Sequence, residues 1–129
     1  MPHFLALLIE RPGTRYVLRN GRTGAILATD LEQAFDSARR RRGLLGRSRL
    51  APAAAMILAP CAAVHTCFMR FPIDVVFVRR DGHVLKVCAE IKPWRAAGTR
   101  GAFAAIELAA GTAALAGTLP GDRLELSQY

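Results

Sequence analysis

The sequence predicts an α+β domain, mostly antiparallel β, with a small barrel-like sheet packed against one amphipathic helix. Three observations carry that expectation. Short apolar runs recur along the chain, each bounded by glycine or proline. The dipeptides Asn20-Gly21 and Asp81-Gly82 signal tight hairpins. One segment places its apolar residues at helical spacing behind a capping signal. A chain of 129 residues has the size of one domain, so a single domain over residues 1–129 is expected.

In chain order, Phe4 to Ile9, "FLALLI", reads as a strand ended by Arg11-Pro12-Gly13-Thr14, whose Pro-Gly centre suits a type II turn. Residues 16–19 and 23–28 flank Asn20-Gly21 and read as a hairpin. The helix starts at a Thr29 cap with Glu32 three residues later, carries Leu31, Ala34, Phe35 and Ala38 on one face, and ends at Gly43. Its last turn is Arg39, Arg40, Arg41 and Arg42, where cations meet the negative end of the helix dipole. Residues 43–47 read as a turn, since they lack the spacing of a phosphate-cradling loop. Residues 55–58, 64–71, 73–80, 83–90, 103–108 and 123–126 read as strands, with one helical turn at 112–116.

At 52% hydrophobic and 22% charged residues, the composition is that of a globular protein, which excludes disorder as a global description. The net charge of +8 comes from arginine, because Lys86 and Lys92 are the only lysines. Such a charge raises non-specific affinity for nucleic acid and acidic membranes without identifying either as a partner. The N-terminal stretch has no basic leader and only a short apolar run, so no export and a cytoplasmic location are expected. Pro52, Pro60 and His65 interrupt the uncharged run over 51–69, which argues for buried strands and against a membrane span. Cys61, Cys67 and Cys88 form no C-x-x-C pair and cannot all pair within the chain; reduced thiols are expected, with no structural zinc and no cofactor.

The stretch "HTCFMRFPIDVVFV" sets His65, Arg70 and Asp74 among large apolar residues. A two-residue turn at Asp81-Gly82 would pair Val78 with Leu85, Val76 with Val87 and Asp74 with Ala89. Alternation then puts Asp74, Val76 and Val78 on one face, the cleaner core face, with Val75 and Phe77 on the other. Asp74 points inward, and a buried carboxylate needs a partner: Arg70, His65, Arg95 or backbone N–H groups.

The segments "RRGLLGRSRLAP", "HTCFMRFPIDVVFVRRDGHVLKV", "KPWR", "GAFAAIELAAGTAALAG" and "GDRL", in this order, resemble the family called domain of unknown function 192, also known as uncharacterised protein family 0127. The resemblance is strongest over residues 43–124. It implies a compact, mostly β, barrel-like domain, bacterial or archaeal and often exported in other members, and it supplies no activity. Ala53, Ala54 and Ala55 stand where relatives often have glycines, and no export segment is seen here.

His65, Cys67 and Met69 would share one face of a regular strand and form a soft-metal set, but core alternation yields the same pattern and no metal is expected. Attack by Cys67 with His65 as base requires a reach that same-face neighbours do not imply. Trp94 and Arg95, after Pro93, could rim a pocket, although a lone tryptophan more often plugs a core. Glu107 reads equally as an outward residue or as an inward carboxylate near Asp74. The reading that follows is a non-catalytic module that binds an unknown small molecule or protein at one end of the barrel, through His65, Met69, Arg70, Asp74, Trp94 and Arg95. Second comes a hydrolase or transferase using Asp74 with Arg70 or His65. Third comes nucleic-acid binding through the cluster from Arg39 to Arg49.

Overall fold

A computed structural model describes residues 3–128. Its centre is a five-stranded sheet assembled from β3 (Asp30–Ala34), β4 (Ala54–Leu58), β9 (Ala104–Ala109), β6 (Ile73–Val78) and β7 (Val84–Ile91), in that spatial order. The β3–β4 pair is parallel and the other pairs in this sheet are antiparallel. A three-stranded sheet of β10 (Leu124–Gln128), β1 (Tyr16–Asn20) and β2 (Ile26–Ala28) and a two-stranded ribbon of β5 (Ala63–His65) and β8 (Ala96–Gly98) complete the β structure. The helices are short: α1 (Ala6–Glu10), α2 (Ser37–Arg42) and α3 (Thr112–Leu115).

Strand alternation splits the interior into two layers. From the central strands, Ala55, Ile57, Val76, Val78, Ile106 and Leu108 face one cluster, which Leu18, Leu27 and Leu124 of the three-stranded sheet close with Leu5 and Leu8. Met56, Leu58, Ile73, Val75, Phe77 and Ala105 face the other cluster, covered by Leu44, Leu50 and Met69 from the connecting segments. Every residue of β6 is buried because both faces of this central strand are covered.

The mostly antiparallel α+β class expected from the sequence is what folds, but among the described residues no closed barrel forms: β3 and β7 are the edges of an open sheet. The segment "FLALLI" contributes to helix α1 and not to a strand. The long amphipathic helix is also absent. Thr29 and Asp30 donate to the Ala53 carbonyl, and residues 30–34 run as β3 beside β4. The helix begins only at Ser37, with the Asp36 carboxylate accepting from the Arg39 N–H at 2.7 Å, and it does end at Gly43 with the arginines in its last turn. Residues 64–71 form no continuous strand, since β5 stops at His65.

The Asp81-Gly82 hairpin forms, with Val76 opposite Val87 as expected. Val78 pairs with Val84 and not Leu85, because the register shifts between Phe77 and Val78. Gly82 sits at φ +90, and a side chain there would strike the Leu124 carbonyl oxygen, so the turn admits only glycine without rearrangement. No helix among the described residues is long and apolar enough to cross a membrane.

Candidate functional site

Two carboxylates lie deep in the central sheet, on neighbouring strands and opposite faces. Asp74 of β6 pairs with Leu108 of β9, and Val75 pairs with Glu107, so alternation sends Asp74 toward the layer of Val76 and Glu107 toward the layer of Val75. Their surroundings differ in kind.

Asp74 is fully buried and fully satisfied. One oxygen accepts from the Glu90 N–H at 2.8 Å and the other from the Ala113 N–H at 2.9 Å. The first bond has a local cause: the register slips between Ile73 and Val75, leaving an extra residue in β7, and Glu90 takes φ 50 with its N–H turned out of the ladder. The second bond satisfies a donor in the first turn of α3, whose N-cap, Gly111, supplies no side-chain cap. Asp74 is thus inward-facing as expected, and of the partners considered it takes backbone N–H groups.

Glu107 is only 4% exposed, and among the described residues no hydrogen-bond donor or ion-pair partner reaches its carboxylate. Burial pushes its pKa up from near 4.5 to about 7. It forms part of the floor of a cleft of about 680 Å³, a volume suited to a small-molecule ligand. One wall is α2 and the turn after it, with Arg40, Arg41, Arg42, Leu44 and Leu45; the other is the segment from Pro60 to His65, with Met69 behind. Gly43 lies 3.9 Å from a Glu107 oxygen, measured from where its Cβ would be, so the turn passes close over the acid.

The other polar groups of the cleft are largely engaged. Arg40 donates to the carbonyls of Phe35 and Ala59 and to the Ser37 hydroxyl. Arg41 donates to the Ser37 carbonyl, and the Cys61 thiol to that of Ala63. Burial raises the Cys61 pKa, with the nearby Glu107 charge adding to the rise, so Cys61 is held as a thiol and not as a nucleophilic thiolate. His65 is exposed and its Nδ1 faces the Cys67 N–H at 3.2 Å.

The site residues expected from sequence are therefore only partly gathered. His65 and Met69 line the cleft. Trp94 and Arg95 stand beside His65, because the Thr66 hydroxyl accepts from the Arg95 N–H and the Thr66 carbonyl from the Trp94 N–H. Trp94 is no core plug: it is 58% exposed and packs on Phe68, itself 72% exposed, with ring centroids 4.6 Å apart. Both residues hold left-handed backbone, at φ 66 and 65. Arg70 is exposed. Asp74 is separated from this group by the sheet itself. Among the described residues, no three His, Cys, Asp or Glu side chains are grouped to hold a metal ion. From the sequence alone, Glu107 fits an outward or an inward position equally well. Its one legible signal is a charge in a run, "AAIELAA", apolar enough to be a strand covered on both faces.

Fold and cleft together define a small open-sheet α+β domain with a polar cleft over one face of its largest sheet. The chain belongs to the DUF192 family, described as "Uncharacterized ACR, COG1430", whose model matches residues 18–126. Among solved structures it is similar to a protein of unknown function from Novosphingobium aromaticivorans, at 28% identity and a TM-score of 0.75, over 86% of this chain and 83% of the other. It is also similar to a protein from Sinorhizobium meliloti called a "putative transcription regulator", at 27% identity and a TM-score of 0.76, over 88% of this chain and 92% of the other. No match was found among curated proteins.

Proposed function

We propose that this domain is a small-molecule-binding module whose ligand enters between α2 and β5 and is held at Glu107. The observation that carries the reading is the almost fully buried Glu107 carboxylate, without a partner among the described residues, on the floor of an open cleft. A buried acid without a donor costs stability, and a ligand supplying the donor offsets that cost. Of the residues expected from sequence, His65 and Met69 belong to the site, Trp94 and Arg95 flank it through Thr66, and Asp74 supports the fold behind it.

A panel of metabolites assayed by thermal denaturation tests this. A compound at a hundred times its Kd adds about 2.7 kcal/mol to wild-type stability. The same compound should lose most of that effect on Glu107→Gln. Compounds that stabilise both proteins equally would remove Glu107 from the site.

Acid–base catalysis is the second reading, favoured by the Glu107 pKa of about 7, which suits proton transfer near neutral pH. It would require turnover that Glu107→Gln abolishes. Nucleic-acid binding gains less from the arginine cluster than the bare sequence promises. Arg39 pairs with Asp36, Arg47 with Glu32, and Arg40 is spent on carbonyls.

A further inference from the structure

We infer that the ligand of this cleft is a zwitterion resembling an amino acid, with an ammonium group that meets Glu107 at the floor and an anionic group that meets Arg42 at the mouth. This rests on the cleft being a binding site, and it follows from asking which of its charges are already used. Arg40 and Arg41 are bonded to backbone carbonyls and to Ser37. Two ionic side chains remain without any hydrogen bond or ion pair among the described residues: Glu107, buried on β9, and Arg42, exposed at the end of α2. Both line the same cleft, yet they do not pair with each other.

That separation is selective. A simple amine would satisfy Glu107 but would have to pass and sit beneath the arginines at the mouth, against their charge. A simple carboxylate would be drawn by Arg42 but would leave Glu107 unmet, with like charges facing once the acid ionises. A molecule carrying both groups meets both side chains at once. The same cleft is lined by Leu44, Leu58 and Met69, which suit an aliphatic spacer joining the two charges.

The test uses straight-chain ω-amino acids from β-alanine to ε-aminocaproate, each beside the alkylamine and the alkanoate of the same length. Binding is read from amide shifts of Gly43, Cys61 and Glu107 and by calorimetry. One amino acid of the series should bind about tenfold more tightly than either half-molecule, the worth of one charge-assisted contact. Glu107→Gln should reduce it to the level of the alkanoate, and Arg42→Ala to that of the alkylamine. Equal binding of an amine or an alkanoate overturns the zwitterion while leaving the cleft as a binding site. Binding by none of the three series, when a panel compound stabilises the protein through Glu107, does the same. No response to any probe or panel compound ends both.

Discussion

Replacing Glu107 by glutamine should alter how stability depends on pH, and the structure fixes the sign. In the unfolded chain this acid ionises near pH 4.5, whereas in the folded protein burial holds it protonated until about pH 7. Below pH 4.5 it is neutral in both states and contributes no slope. Between the two values the unfolded chain has released a proton that the folded chain retains, so rising pH favours unfolding. Above about 7 both states are ionised and the slope vanishes. The span corresponds to about 3 kcal/mol of stability lost between mildly acidic and neutral pH. For a domain of this size that is a large fraction of the total, or about 10 °C in Tm. Glutamine keeps the shape and cannot ionise, so its stability relative to wild type should rise by this amount as pH increases. Arg40, Arg41, Arg42, His65 and Cys61 line the same cleft and are present in both proteins, so the comparison isolates the side chain at position 107. Urea denaturation of both at about pH 4 and about pH 8 measures the difference. Parallel curves would show that Glu107 does not resist ionisation in the folded protein and that its carboxylate finds a donor there.

Other expectations concern the frame around the cleft. Asp74→Ala strands the N–H groups of Glu90 and Ala113 and should cost about 3–5 kcal/mol in urea denaturation; Asp74→Asn, which keeps one acceptor, should cost about half as much. A near-zero effect would mean that the carboxylate does not hold β7 and α3. Gly82→Ala, at φ +90 with the Leu124 carbonyl in the way, should destabilise by about 3 kcal/mol, and an unchanged Tm would contradict the hairpin geometry. Trp94, the only tryptophan, should be readily quenched by acrylamide, and Trp94→Ala should change stability by less than about 1 kcal/mol; a shielded fluorophore would place it in the core instead.

The β6–β7 hairpin and the orientation of Asp74 were legible because alternation and an Asp-Gly turn specify them locally. Val76 therefore meets Val87 as expected, and Asp74 lies on the face of Val76 and Val78. The bulge that moves Val84 opposite Val78 has no local signal, since Val and Leu serve either register. The missed strand β3 is a case of tertiary override. Leu31, Ala34 and Phe35 fit a helical face, but in the fold residues 30–34 complete a parallel ladder with β4, and Leu31 and Ala34 pack into different layers. The "FLALLI" run shows the reverse error, because six apolar residues have no period to tell helix from strand. Glu107 stayed ambiguous for a different reason. A strand buried on both faces gives its charged residue no polar side to choose, so only the layers above and below reveal what the acid meets.

The floor and one wall of the cleft belong to different sheets. Glu107 stands on β9, clamped between β4 and β6, so almost any change there disturbs the centre of the protein. The facing wall is β5, whose ladder runs only to β8, with Ala63 and His65 exposed. Sequence drift along that ribbon can reshape what fits inside while the anchoring acid stays where it is. In the proposed binding module, the shape of the cleft is thereby free to diverge within one lineage faster than the position of its acid.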